Sequence, residues 1–280
     1  MLAAVLDGPG APRLVELPAP RPGQGQVLLQ VCAVEVGGEA AGVPDGVPGG
    51  GLAGVVVQLG PGSFGLEVGD HVLGHAPAGA WAQFAAVDGA RLTPRPEGLP
   101  WAQAAALAGA GQAVLPALTA LRLRSGERLL VLGAGRGAGP LAVQLARARG
   151  AVVLAAAGPR DHAHLRLLGA RPVRPDRVAA AGSDGVDAVL VVAGDPASVG
   201  DPAPGRTVRL GGAAAAAMAA GRSAPHLLPL VELWEEGAVR PDVAAVLPLE
   251  RAGRARRLAA GGRMRGAVVL RPWPVVGGRL

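Results

Sequence analysis

The segment from Leu129 to Gly158, LLVLGAGRGAGPLAVQLARARGAVVLAAAG, constrains this chain more than any other. An apolar strand runs into four glycines, Gly133, Gly135, Gly137 and Gly139, and then into a helix and a second apolar strand. Glycine is needed where a turn is tight and where a side chain would hold the backbone off a diphosphate. The helix start then offers free N–H groups and a partial positive charge to that anion. In this strand-turn-helix-strand context the pattern points to a dinucleotide site, with a ligand-free tight turn as the alternative. The candidate contacts are Gly133, Ala134, Gly135, Arg136, Gly137, Ala138 and Gly139, with Gly211 and Gly212 at the end of the later strand TVRLGG.

The second strand ends in Ala155, Ala156 and Ala157, followed by Gly158, Pro159 and Arg160. No Asp or Glu stands there to accept from a ribose 2′-OH, as an NAD site would place it. Small residues followed by Arg160 suit a 2′-phosphate, which a guanidinium can pair bidentately, so the expected cofactor is NADP. The alternative is that Arg160 simply opens the next helix from solvent. Arg136 sits where the backbone should approach the diphosphate. It either clamps the phosphates or obstructs them.

The rest of the chain divides around this segment. Up to about Trp101, short apolar runs separated by Gly and Pro turns predict a compact β-barrel, with the longest strand over Gln26 to Val36 and another over Leu52 to Leu59. Beyond it, apolar strands alternate with helices over Pro140 to Arg149 and Arg160 to Leu168, which predicts a parallel sheet covered on both faces. Mixed structure closes the chain, with helices near Leu230 to Glu236 and over Arg251 to Ala260. The alanine run Ala213 to Ala217 reads as helical rather than as a spacer. The fold class is α/β, and 280 residues suffice for two ordinary domains.

Composition excludes several functions. Half of the residues are apolar and 17% are charged, which supports a sizeable core. The net charge of +6 comes from arginines scattered along the chain, with few aromatics to stack bases, so no nucleic-acid partner is expected. The single cysteine, Cys32, rules out internal disulfides and multi-cysteine metal sites. The stretch Gly98 to Leu121 is uncharged, but its Pro, Gln and Gly residues predict short buried helices rather than a membrane span. With no secretory pattern at the start, a cytoplasmic location is expected. A hydrolase is not expected, because no G-x-S-x-G elbow occurs.

The runs RPGQGQVLLQV, PGGGLAGVVVQLGPG, GDHVLG, GAWAQFAAV, LTPRPEGLPWAQAAAL, SGERLLVLGAG, LAVQLARARGA, LVELWEEGAVRP, LPLERAGRARRLAAG and RGAVVLRP occur along the chain in this order. In that order they resemble the landmarks of the medium-chain dehydrogenase/reductase superfamily, in its zinc-free quinone oxidoreductase and enoyl reductase branch. The resemblance implies a GroES-like domain, residues 1–117 plus 238–280, with a Rossmann domain, 118–237, inserted into it. The cofactor would lie in the cleft between them.

Departures from the family pattern set further expectations. Gly50 and Gly51 stand where zinc-dependent relatives carry a His-Glu pair, so no zinc is expected. His71, His75, His162 and His164 read as surface or core residues rather than ligands. Gly37 falls where zinc-free relatives carry an Asn, and the stretches between Val36 and Pro48 and between Gly212 and Leu230 are short for the family. Cys32 and Glu35 are the polar candidates entering the cleft, with structural roles as the plainer reading. Catalytic residues stay unassigned. The resemblance implies an NADPH-dependent reduction of an enone, quinone or similar activated double bond, on a small molecule and compatible with a homodimer. The alternative is a redox-inactive relative that uses the cleft for binding or for a non-redox step such as cyclisation.

Overall fold

A computed structural model describes residues 1–8, 10–37, 45–179, 185–194, 197, 206–210 and 223–273. The first part of the chain supplies β1 (Leu2–Asp7), β2 (Arg13–Glu16), β3 (Gln26–Glu35), β4 (Asp45–Gly46), β5 (Pro48–Leu59), β6 (His71–Ala78), β7 (Phe84–Asp88) and β8 (Leu92–Pro94). A helical run comes next: α1 (Trp101–Ala106), one π-helical turn (Leu107–Gly111) and α2 (Gln112–Ala120). The uncharged stretch thus folds as helix, and no helix among the described residues is long and apolar enough to cross a membrane.

Strand-helix alternation then begins, with β9 (Arg128–Leu132), α3 (Gly139–Ala148), β10 (Val152–Ala156), α4 (His162–Leu167), β11 (Arg171–Val173), β12 (Ala188–Val191) and β13 (Thr207–Arg209). These five strands are all parallel, in the order β11-β10-β9-β12-β13. This order places the first strand of the unit at the centre and reverses direction beside it, the doubly wound arrangement of a Rossmann fold.

Continuous apolar runs predict a sheet buried on both faces, and alternate residues of β9 enter separate cores. Leu129 and Val131 pack with Val153 and Leu190 on the face covered by α2 and α3. Leu130 and Leu132 pack with Leu154, Val189 and Val191 on the other. Each such fully buried side chain contributes about 1.5–3 kcal/mol.

The chain closes with α5 (Ala224–Glu235), β14 (Val243–Pro248), α6 (Ala252–Ala260) and β15 (Ala267–Arg271). Helix α5 starts earlier than the apolar pattern suggests, because Pro225 opens its first turn, where a missing N–H costs nothing. The seven-stranded sheet of the first part runs β14-β15-β3-β5-β6-β8, with β7 also paired to β3. Strand β7 takes one edge of β3 over Gln26–Gln30, and β15 pairs with Val34 and Glu35. The end of the chain thus returns to the sheet that its beginning forms. A three-stranded sheet, β2-β1-β4, joins it through the bridge Ala3–Ala82 and the bond from the Ala4 amide to the Trp81 carbonyl.

Strand β5 begins at Pro48, ahead of its apolar run. The glycines Gly49 to Gly51 belong to the pairing with β6, and a Cβ at Gly49 would lie 2.2 Å from the Ala76 carbonyl oxygen. The arrangement is the α/β architecture of a GroES-like domain plus a Rossmann domain, as the resemblance implies.

Candidate functional site

The glycine turn leaves β9 at Gly133 and enters α3 at Gly139, and its four glycines are there for different reasons. Gly133 has φ +75°, and a Cβ there would meet the Ala193 backbone at 2.8 Å. At Gly139 a Cβ would lie 2.5 Å from the Ala134 carbonyl oxygen, so the helix start packs directly on the turn. Gly137 has φ +45°, is exposed, and has open space where a side chain would point. Gly135 is buried, and a Cβ there would lie 2.5 Å from Oδ2 of Asp161. Ala134 is buried and Ala138 half-buried beside them.

Four amides of the turn are engaged within the chain. Ala134 donates to Ala156, Arg136 to Gly133, and Gly139 to Arg136. The Gly137 amide donates at 3.0 Å to the carbonyl of Met264, on the loop before β15, and Gly137 forms a parallel β-bridge with Arg265. Arg265 Nε in turn donates at 3.2 Å to Oδ1 of Asp161. The side chain lying against the turn is therefore Asp161, while Arg136 is exposed.

Arg160 is exposed in the single 3-10 turn Pro159–Asp161, which comes after β10 beside the glycine turn. Gly211 and Gly212 lie outside the described residues, as does the run Ala213–Ala217. Asp161, Met264 and Arg265 are the residues that sequence reasoning missed. Asp161 carries a readable signal, since it is an acid just after the second strand, one position beyond Arg160. Met264 and Arg265 carry no local signal, since only the return of the chain end brings them to the turn.

Further ties join the nucleotide-type sheet to the returning segment. The side-chain amide of Gln144, on α3, accepts from the Arg240 amide at 2.7 Å and donates to the Arg240 carbonyl at 3.0 Å. His164 Nε2 lies 2.6 Å from Oδ2 of Asp242. His164 is thus a hydrogen-bond partner of the returning segment, a role that its spacing from His162 does not suggest. A shallow recess between these parts is lined by Ala106, Ala110, Gly137, Ala138, Asp242 and Gly266 among others.

The two polar candidates on β3 are buried. The Cys32 thiol is pushed up to about 11 by burial, with Arg95 opposing, which leaves it protonated and poorly nucleophilic. Glu35 comes after Val34, which pairs with Leu52, and His75 pairs with Gly51, so both acid and imidazole flank Gly51. Both are buried. The missing side chain at Gly51 admits the π-helical turn: a Cβ there would lie 2.2 Å from the Gly109 nitrogen. His71 instead packs edge-on against Trp101 and shares a hydrogen bond with Arg95.

No protein-family model matches the chain. A mycocerosic acid synthase-like polyketide synthase of Mycobacterium tuberculosis is 44% identical over 108 residues, 38% of this chain but 5% of that protein's length. Among solved structures, a quinone oxidoreductase from Coxiella burnetii has a TM-score of 0.83 at 24% identity, covering 98% of this chain and 99% of its own. An alcohol dehydrogenase superfamily protein from Novosphingobium aromaticivorans has a TM-score of 0.83 at 26% identity, covering 98% of this chain and 100% of its own. Those architectures match the β-domain, the parallel sheet and the returning chain end. With the order of its sequence landmarks, this gives the chain the architecture of the medium-chain dehydrogenase/reductase superfamily.

Proposed function

We propose that the chain is an NADPH-dependent oxidoreductase that reduces an enone, quinone or similar activated double bond of a small molecule, without zinc. The observation that carries this reading is the glycine turn at the end of β9, the central strand of a parallel sheet, with the start of α3 behind it. A diphosphate would be held at Gly137, Ala138 and Gly139, where the exposed Gly137 leaves space for it. Arg160, on the neighbouring turn, would take the 2′-phosphate, and Gly211 and Gly212, which follow β13 in the sequence, belong to the proposed contacts. A bound nicotinamide supplies the hydride, so the chain's own part is to bind, orient and exclude water. The division into residues 1–117 plus 238–280 and 118–237 belongs to this reading, as does a cytoplasmic location.

The donor set supports a metal-free reaction. Gly50 and Gly51 bring no ligating side chain to the place where zinc-dependent relatives carry a His-Glu pair. Purified protein with NADPH and a panel of enones and quinones should consume the cofactor, with no stoichiometric zinc by elemental analysis. No consumption across the panel, or one firmly held zinc per chain, would contradict this reading.

A second reading, a redox-inactive relative that uses the cleft for binding or a non-redox step, is favoured by one observation. The Asp161 carboxylate lies against Gly135, and the Gly137 amide is already engaged by Met264. A chain of this kind would bind no dinucleotide at millimolar concentration.

A further inference from the structure

Asp161 stands at the N-terminal end of α4, yet its side chain makes no capping bond to that helix. The carboxylate turns instead to Gly135 and to Arg265. Helix capping, the ordinary use of an Asp in this position, therefore does not account for it. Nor is the contact a deep structural ion pair, since the Arg265 and Asp161 side chains are 40% and 24% exposed. Water competes with such a pair and keeps it weak.

We propose that Asp161, Arg265 and the Met264 carbonyl form a latch on the phosphate-binding turn, which the diphosphate of an adenine nucleotide opens by taking Arg265 from Asp161. The latch rests on the proposal that this turn binds a nucleotide. The charges favour the exchange. A carboxylate beside Gly135 repels an incoming phosphate, while the guanidinium that neutralises it can pair with phosphate oxygens bidentately. Releasing Arg265 from the β-bridge also frees the Gly137 amide, the donor of the turn that the returning chain end engages. The exposed Gly137, with open space above its Cα, is where the anion first meets the turn. The latched arrangement lowers apparent affinity by the fraction of molecules that are open.

The test uses ADP-ribose, which carries the diphosphate but no nicotinamide, measured by calorimetry on the full chain. Asp161→Ala should bind it about tenfold more tightly than the unmodified protein, because the closed state loses its anchor. Arg265→Met should bind it about tenfold more weakly, because the phosphate loses its partner. Far-ultraviolet circular dichroism checks folding, and Asp161→Asn serves if the alanine variant does not fold. Equal affinity of the Asp161 variants and the unmodified chain, including no binding by any of them, overturns the latch. Weaker binding by Asp161→Ala overturns it too, since the carboxylate would then be a ligand. The reductase reading fails separately, when ADP-ribose binds but NADPH is not consumed with any enone or quinone of the panel.

Discussion

Oε2 of Glu35 lies 1.4 Å from the point where a Cβ on Gly109 would stand. The carboxylate of β3 thus rests on the bare backbone of the π-helical turn, and the two elements approach each other only because position 109 is glycine. Gly109→Ala should destabilise the protein by about 1–3 kcal/mol, because the buried Glu35 carboxylate must move aside. In a Glu35→Ala background the same change should cost much less, since the obstructing side chain is gone. Denaturant titration of the two single variants and the double variant measures this. Additive effects would show that Glu35 is not what excludes a side chain there.

Gln112 begins the helix after that π turn, and it is 1% exposed. Neither its amide nitrogen nor its amide oxygen has a hydrogen-bond partner among the described residues. A buried amide left unpaired costs about 1–3 kcal/mol. Gln112→Met keeps the volume and removes the polar atoms, so it should raise the melting temperature. A lower melting temperature would mean that the amide is satisfied by a buried water.

Glu127 is tied to Arg206, which also donates to the Leu121 carbonyl. The hydrogen bond from Arg206 holds the Glu127 carboxyl down at about 2 from its ordinary 4.5. A depressed folded-state value means that the stabilisation is complete above about pH 4.5 and is lost as pH falls toward 2. Arg206→Met should therefore lower stability at neutral pH and flatten its decline across that acid window. Parallel stability curves for the two proteins from pH 5 to pH 2 would refute this role for the pair.

The Cys32 thiol, pushed up to about 11 by burial, should hold roughly one thiolate in a thousand molecules at pH 8. A thiol reagent should modify it at once in denaturant and only very slowly in the native protein. Rapid modification of the folded chain would show an open path to β3.

The outline of the fold is legible in the sequence because it depends on local pattern. The apolar runs of β9, β10 and β12 state a parallel sheet, and the spacing of Gly133 to Gly139 marks the turn within it. Boundaries differ where local pattern is a poor guide: Pro225 extends α5 backwards, and Gly49 to Gly51 extend β5. The electrostatics of the site are less accessible. Arg136 and Arg160 stand out in the sequence as charges near the turn, and both are exposed. The pair at the turn, Asp161 with Arg265, is separated by more than a hundred positions and forms only through long-range packing of the chain end. Glu35 and His75 are likewise brought to either side of Gly51 by sheet register, which spacing within one strand does not reveal.

Binding of a dinucleotide at the turn after β9, with a preference set by Arg160, is tested most directly by calorimetric titration of the full chain with NADPH and with NADH. The same pair of titrations is then run on Arg160→Ala. A charge-assisted pair to phosphate contributes about 1.5–3 kcal/mol, so NADPH should bind at least about tenfold more tightly than NADH. Arg160→Ala should erase most of that difference while leaving NADH affinity unchanged. Equal affinity for the two cofactors in the unmodified protein, or no binding of either at millimolar concentration, would contradict the proposed site.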